Sequence, residues 1–295
     1  MTTVSAQHPI ISVTGSSGSG TTTVRHTFEQ IFRREGVWFA GIEGDAFHRY
    51  DRKGMAAAVA EHDEAGDHEF SHFGPEANLL AELEEVFGDY GAFGTGRTRR
   101  YVHDEGEAVE LDTAAGTFTP WEDFPPDTDL LFYEGLHGAF AGDGVDIAAH
   151  ADLKVGVVPV INLEWIQKID RDRATRGYST EEVTETILRR MPDYVRHLCP
   201  QFTRTDVNFQ RVPTVDTSNP FVARYIPTPD ESIVVIRFRD PTGIDFPYLL
   251  SMIHDSAMSR PNSIVIPGGK LDLAMQLILT PMIHRLLDRR RKAAA

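Results

Sequence analysis

The sequence predicts an α/β fold built on a mixed but largely parallel sheet flanked by helices on both faces. Short apolar or β-branched runs ending in glycine or an acidic residue recur along the 295 residues, and amphipathic stretches at helical spacing lie between them. A third observation is the junction GSSGSGTT at 15–22, where a glycine-rich turn joins the first such run to the first such helix.

The elements follow in order. PIISVTG (9–15) is a β-branched run ending in glycine, as a buried strand does. TTTVRHTFEQIFRREG then places Val24, Phe28, Ile31 and Phe32 at helical spacing, with Gly36 at the C-cap position. WFAGIEGD (38–45) reads as a second strand with Asp45 at its carboxyl edge, and PEANLLAELEEVFGDYG as an acidic amphipathic helix. TDLLFYEG (128–135) is a third strand ending in Glu134, and ADLKVGVVPVI (151–161) a fourth. NLEWIQKIDRDRATRGY and TEEVTETILRRMPDYVRHL read as helices, and VPTVDT and SIVVIRFRD as strands. FPYLLSMIHDS and KLDLAMQLILTPMIHRLLDRRRK close the chain as helices. In such sheets ligands bind at the strands' carboxyl ends, where Gly15, Asp45 and Glu134 are expected. The Gly-, Pro- and polar-rich stretch 88–126 is too long for an idle connection and reads as a lid with a hairpin. No repeat or linker divides the chain, so residues 1–295 read as one domain.

Composition narrows the classes. The formal net charge of −15 argues against a nucleic-acid surface, yet leaves room for a phosphorylated small molecule, which needs only a few local cations. No apolar run approaches the length of a membrane span, and MTTVSAQH lacks the basic and apolar regions of a secretory signal. Cys199 is the single cysteine, so no internal disulfide or thiol switch is possible and a reducing cytoplasm is expected.

Gly15 and Gly20 are spaced as in the phosphate-binding pattern G-x-x-x-x-G-K-[ST], and Thr22 supplies the hydroxyl that ligates Mg²⁺. Glycines let successive N–H groups converge on phosphate oxygens, and the helix start adds partial positive charge. The lysine position holds Thr21, so the turn also suits an ordinary strand-to-helix connection. Its placement between the first strand and helix favours the phosphate reading, and a cation must then come from elsewhere. In QKIDRDRATRGY, Lys168, Arg171, Asp172 and Arg176 share an arc of roughly 140° on one helix. Three cations around one carboxylate form an anion clamp, or else a solvated, salt-bridged helix face. The uncompensated loop favours the clamp, carried on a helical lid that closes over a transferred phosphoryl group. The fold class is then α/β and P-loop kinase-like, with lid or insert segments near 88–126 and 162–198.

Asp45, followed by His48, Arg49 and Arg52, can accept a proton from an attacking hydroxyl, or can cap the next helix. Glu134 occupies the position of a Walker-B acid that holds Mg²⁺, or caps a loop. RTRRYVHD offers Arg97, Arg99, Arg100, Tyr101 and His103 as a second phosphate patch, with edge-strand protection as the rival account. His62, Asp63, His68 and His72 invite a metal reading, but no third ligand recurs at fitting spacing and acidic surface helices are common. DRRRK suits a helix C-terminus.

Beyond these local readings, GSSGSGTTTV, IEGDAFHR, FSHFGPEAN, GRTRRYVHD, LLFYEGLHG, GVVPVINLEWIQKIDRDRATRGY, VDTSNPF and IPGGKLDLAMQLILTP occur in order from about residue 8 to about 288. Together they resemble bacterial phosphoribulokinases of the short, non-plant class, whose loop also lacks the usual lysine. The resemblance implies transfer of the ATP γ-phosphoryl group to the C1 hydroxyl of ribulose 5-phosphate, a Calvin-cycle step. It implies Gly15, Ser16, Ser17, Gly18, Ser19, Gly20, Thr21, Thr22 and Thr23 as the nucleotide loop and Asp45 as general base. Thr22, Glu134 and Asp172 become metal ligands, and Lys168 and Arg171 neutralise charge at the transferred group. His48, Arg52, Tyr101, His103 and Arg176 become sugar-phosphate contacts. The family also implies a homo-octamer activated by NADH and inhibited by AMP, with Arg34, Arg237 and Arg260 matching arginines tied to substrate or effector response. One departure is Ala56, where the family can carry a basic residue; Lys53 lies nearby. The alternatives are a related kinase acting on a nucleoside or another pentose phosphate, and a catalytically silent nucleotide sensor.

Overall fold

In the computed structural model the described residues are 7–16, 21–158, 160–176, 179–222 and 225–294; the side chains of Thr21, Thr22, residues 174–176 and residue 294 are not among them. The strands are β1 (Ile10–Thr14), β2 (Phe39–Glu43), β3 (Arg97–Thr98), β4 (Glu122–Asp123), β5 (Leu130–Gly135), β6 (Ala141–Gly142), β7 (Val145–Asp146), β8 (Leu153–Val158), β9 (Val207–Pro213), β10 (Ser232–Phe238), β11 (Ala257–Arg260) and β12 (Ser263–Pro267). The helices are α1 (Thr21–Glu35), α2 (Arg52–Glu64), α3 (Leu80–Phe93), α4 (Glu105–Leu111), α5 (Ile161–Arg176), α6 (Thr180–Asp193), α7 (Phe246–Met252) and α8 (Leu271–Ala294).

Eight strands form one sheet in the order β11-β12-β10-β9-β8-β1-β5-β2. Strands β2, β5, β1, β8 and β9 run parallel, and β10, β12 and β11 complete the sheet antiparallel. Alternation decides which face each residue covers. Ile11, Val13, Leu130, Phe132, Val155 and Val157 join α1 and α8 in one core, where the rings of Phe28, Phe32 and Phe132 meet tilted or edge-on with centres 5.0–5.7 Å apart. Ile10, Leu131 and Tyr133 face the other way, into a second core with Leu83, Phe87 and Tyr90 of α3.

The predicted strands around residues 10, 40, 130, 153 and 232 are present. VPTVDT is not itself a strand: β9 begins at Val207 and stops at Pro213. Asn208 hid that start from the hydropathy pattern, because its buried amide accepts from Thr205 Oγ1 at 2.6 Å and donates to the Phe202 carbonyl at 2.8 Å. Residues 88–93 belong to α3, which Gly94 ends in the left-handed conformation (φ 70°). The remainder of the expected lid is a strap holding β3, α4 and β4. Asp51 accepts from the Gly54 amide and caps α2, so Asp45 is not a helix cap: it sits within the 3₁₀ turn Gly44–Phe47.

That turn leans on the end of β5 through two glycines. A methyl group on Gly135 would stand 2.6 Å from Gly44 Cα and 2.7 Å from the Tyr133 hydroxyl. One obstacle is backbone and the other a buried tyrosine, so neither yields easily. Gly135→Ala is therefore expected to destabilise the fold by about 1–3 kcal/mol. Urea denaturation checks this; an unchanged midpoint would show that the strand ends part freely.

Candidate functional site

The carboxyl ends of β1, β5 and β2 gather the first group of residues. Gly15 leaves β1 with its amide donating to the Gly135 carbonyl at 3.1 Å, which anchors the root of the loop. Ser16 is buried, whereas Ser17, Gly18, Ser19 and Gly20 lie outside the described residues, as do the side chains of Thr21 and Thr22. Thr23 is exposed in the first turn of α1. Glu134 pairs with Val13 on one side and Glu43 on the other, which places a half-buried carboxylate at this edge.

Asp45 is 42% exposed and faces two imidazoles, with His48 Nε2 at 3.1 Å and His103 Nε2 at 3.6 Å. The charge on His48 follows from its second neighbour. Asn78 donates its amide to the carbonyls of His72 and Gly74, so its Oδ1 faces His48 Nδ1 at 2.8 Å as an acceptor. His48 must then donate from both ring nitrogens, which only the imidazolium can do. Burial alone would push His48 down, but the Asp45 carboxylate and the hydrogen bonds to Asp45 and Asn78 outweigh it and raise its pKa above the ordinary value. The result is an Asp45–His48 ion pair at a partly open edge.

The strap delivers Tyr101 and His103 to this pair. Tyr101 lies edge-on to His48, with ring centres 6.4 Å apart, and 5.0 Å from His103. Arg52 reaches from α2 to donate to the His103 carbonyl at 2.6 Å, and its amide donates to Gly116. Arg99 is not part of a phosphate patch: it donates to the carbonyls of Ala46 and His48 at 2.8 Å and lies over Phe118. Arg97 lies over Trp121, and Arg100 is exposed.

The second group comes from α5. Lys168 and Asp172 are 6% and 3% exposed and meet at 2.5 Å, and Arg171 donates to the other oxygen of Asp172 at 3.0 Å. The predicted cluster of cations around one carboxylate thus forms for Lys168 and Arg171, while the side chain of Arg176 lies outside the described residues. Burial, then the nearby Arg190, lowers Lys168 to about 8. Arg190 of α6 links the two groups electrostatically, since its charge acts on both Lys168 and His48. The sequence reading passed over Arg190, Asn78 and Glu164, and gave Arg99 a phosphate role in place of its structural one. A signal for Arg190 existed: it follows the buried Val183 and Ile187 by seven and three residues, an arginine on an apolar stripe.

Other candidates lie elsewhere. His62 bonds Asp67 and stacks on Phe70, His68 bonds Asp63, and Asp63 holds Arg189 of α6 at 2.8 Å. Asp63 thereby joins α2 to α6, the two histidines are used in local contacts, and His72 packs edge-on to Phe73 and His48. Arg34 sits in the last turn of α1, bonded to Gln276 and Thr280 of α8. Arg237 and Arg260 are exposed and both register with Ser263, level with the start of β9. All three stand towards the amino edge of the sheet, away from Asp45 and Lys168. A cavity of about 720 Å³ behind the strap, floored by Val86, Trp121 and Phe124, carries Glu82, Glu85 and Asp89 and so disfavours an anionic ligand. Among the described residues no helix is long and apolar enough to cross a membrane.

Residues 10–218 match the family described as "Phosphoribulokinase / Uridine kinase family". A phosphoribulokinase of Xanthobacter flavus is 69% identical over 290 residues, covering 98% of this chain and 100% of the relative. One of Nitrobacter vulgaris is 67% identical over 287 residues, covering 97% and 99%. The solved structure "Phosphoribulokinase from Rhodobacter spheroides" superposes with a TM-score of 0.90 at 66% identity, over 97% of this chain and 100% of that one.

Proposed function

Since the chain belongs to the phosphoribulokinase/uridine kinase family, we propose that it is an ATP-dependent phosphoribulokinase. It transfers the γ-phosphoryl group to the C1 hydroxyl of ribulose 5-phosphate and releases ribulose 1,5-bisphosphate and ADP, as in the Calvin cycle. The observation that carries this reading is the Asp45–His48 pair. A carboxylate held ionised at a strand's carboxyl end, open to a ligand and ringed by His103, Tyr101 and Arg52, suits proton removal from a phosphorylated polyol.

In this reading Asp45 takes the hydroxyl proton, and His48 stabilises the carboxylate before the reaction. His48, Arg52, Tyr101, His103 and Arg176 bind the sugar phosphate. The amides of residues 15–23 cradle the nucleotide phosphates, while Lys168 and Arg171 turn from Asp172 towards the transferred group as α5 and α6 close as a lid. Magnesium would be held by Glu134 and Thr22, where it would neutralise phosphate charge. Glu134 fits that role as a half-exposed carboxylate beside the loop. Asp172 fits only once Lys168 releases it, because both its oxygens already accept from cations.

The same reading extends to one kinase domain, working in the cytoplasm as a homo-oligomer, an octamer by resemblance, with neither nucleic acid nor membrane as partner. NADH is its activator, read through Arg34, Arg237 and Arg260, which share the amino edge. An ADP-release assay across ribulose 5-phosphate, ribose 5-phosphate, uridine and pantothenate, with and without NADH, tests the assignment. Ribulose 5-phosphate is expected to be the preferred acceptor, with NADH raising its rate. Preference for uridine would move the chain to the nucleoside branch, and silence with every acceptor would make it a sensor.

A further inference from the structure

Beneath the loop lies an acid that the mechanism above does not use. Glu164, in the first turn of α5, is 6% exposed, and its Oε2 has no hydrogen-bond partner. The Ser16 hydroxyl beside it is fully buried and likewise completes no hydrogen bond, although it stands close enough to act on the carboxyl. Burial leaves both atoms desolvated without a completed hydrogen bond, so two such atoms facing each other at the root of a ligand loop are held for a second arrangement. Ser16 follows the anchored Gly15 and precedes the glycine turn, so a small shift of the loop would join the two groups.

We propose that Glu164 is a positioning residue for the nucleotide: through the Ser16 hydroxyl it fixes the root of the phosphate loop, and it does so as the neutral acid. The neutral form can donate to Ser16 Oγ, whereas a carboxylate would add negative charge next to the incoming phosphates. Among the described residues, the charged or titratable groups that act on it are Lys168, one turn along α5, Arg190 and Tyr194, from α6 and the turn after it, and Cys199. Burial raises the carboxyl to about 7; the Ser16 hydroxyl, Arg190 and Lys168 act against that rise without cancelling it. Near neutral pH the free protein therefore holds a mixture of both forms, and nucleotide phosphates shift it towards the acid. Nucleotide binding takes up a proton.

This inference rests on the kinase reading only for the nucleotide, so the test measures ADP binding directly and needs no sugar acceptor. Titration calorimetry of ADP at pH 7 in buffers of different ionisation enthalpy should show clearly larger proton uptake in the wild type than in Glu164→Gln. Glu164→Ala should weaken ADP binding about tenfold, the loss of one buried hydrogen bond, and Glu164→Gln should recover most of that affinity. Ser16→Ala should weaken it similarly, and the double variant no further, because both remove one contact. In turnover, KM for ATP should rise in Glu164→Ala while KM for ribulose 5-phosphate holds. Additive losses in the double variant, or equal proton uptake by the wild type and Glu164→Gln, would overturn the proposal. Failure of ribulose 5-phosphate turnover with intact ADP linkage would instead sink the substrate assignment and leave this one standing.

Discussion

Asp45→Asn lowers kcat by roughly 10²–10⁴-fold while ATP affinity changes little: this is the largest single effect expected in the molecule. Asparagine keeps the shape of the side chain and can still accept from His48, so the local fold should survive. What it lacks is a site that can take a proton while the sugar oxygen attacks. Because a base acts in the transition state, the loss falls on kcat rather than on binding. Steady-state kinetics with a fixed excess of each substrate checks this. Turnover within tenfold of wild type would remove Asp45 from the role and point to a water or His103 instead.

Lys168→Met is expected to follow, with kcat down about 10²–10³-fold, the usual loss when one charge stabilising a transition state is deleted. Lys168 is buried beside Asp172 and repelled by Arg190, so its ammonium is held poorly solvated. A cation in that condition gains much from a phosphoryl oxygen, more than a solvated one would. Methionine fills the same volume and leaves Arg171 on Asp172, so thermal unfolding should show a folded protein. A kcat within fivefold of wild type would mean that the remaining arginines carry the transferred charge alone.

Much of the parallel half of the sheet was legible because its strands are continuous apolar runs, buried on both faces. Of the antiparallel strands only β10 was. Strand β11 is exposed along its length, so no hydropathy pattern marks it, and at the seam with the parallel strands the start of β9 is hidden by the buried Asn208. At the site, Asp45 and Glu134 could be found because strand ends in such sheets are chemically privileged places. Lys168, Arg171 and Asp172 could be found because helical spacing is local. The role of Asn78 and the structural role of Arg99 could not, since one lies in meeting the His48 ring 30 residues away and the other in meeting the carbonyls of Ala46 and His48, 53 and 51 residues away. Long-range polar bookkeeping leaves no periodicity behind.

The bare contact between Gly44 and Gly135 has a consequence for how such an enzyme could diversify. It works as a ruler: the ends of β2 and β5, and with them the turn that carries Asp45 and the strand end that carries Glu134, are held at the pitch of neighbouring strands, about 4.8 Å, by backbone and by no replaceable side chain. Descendants with other acceptors would vary the strap and the helices above while inheriting that interval unchanged.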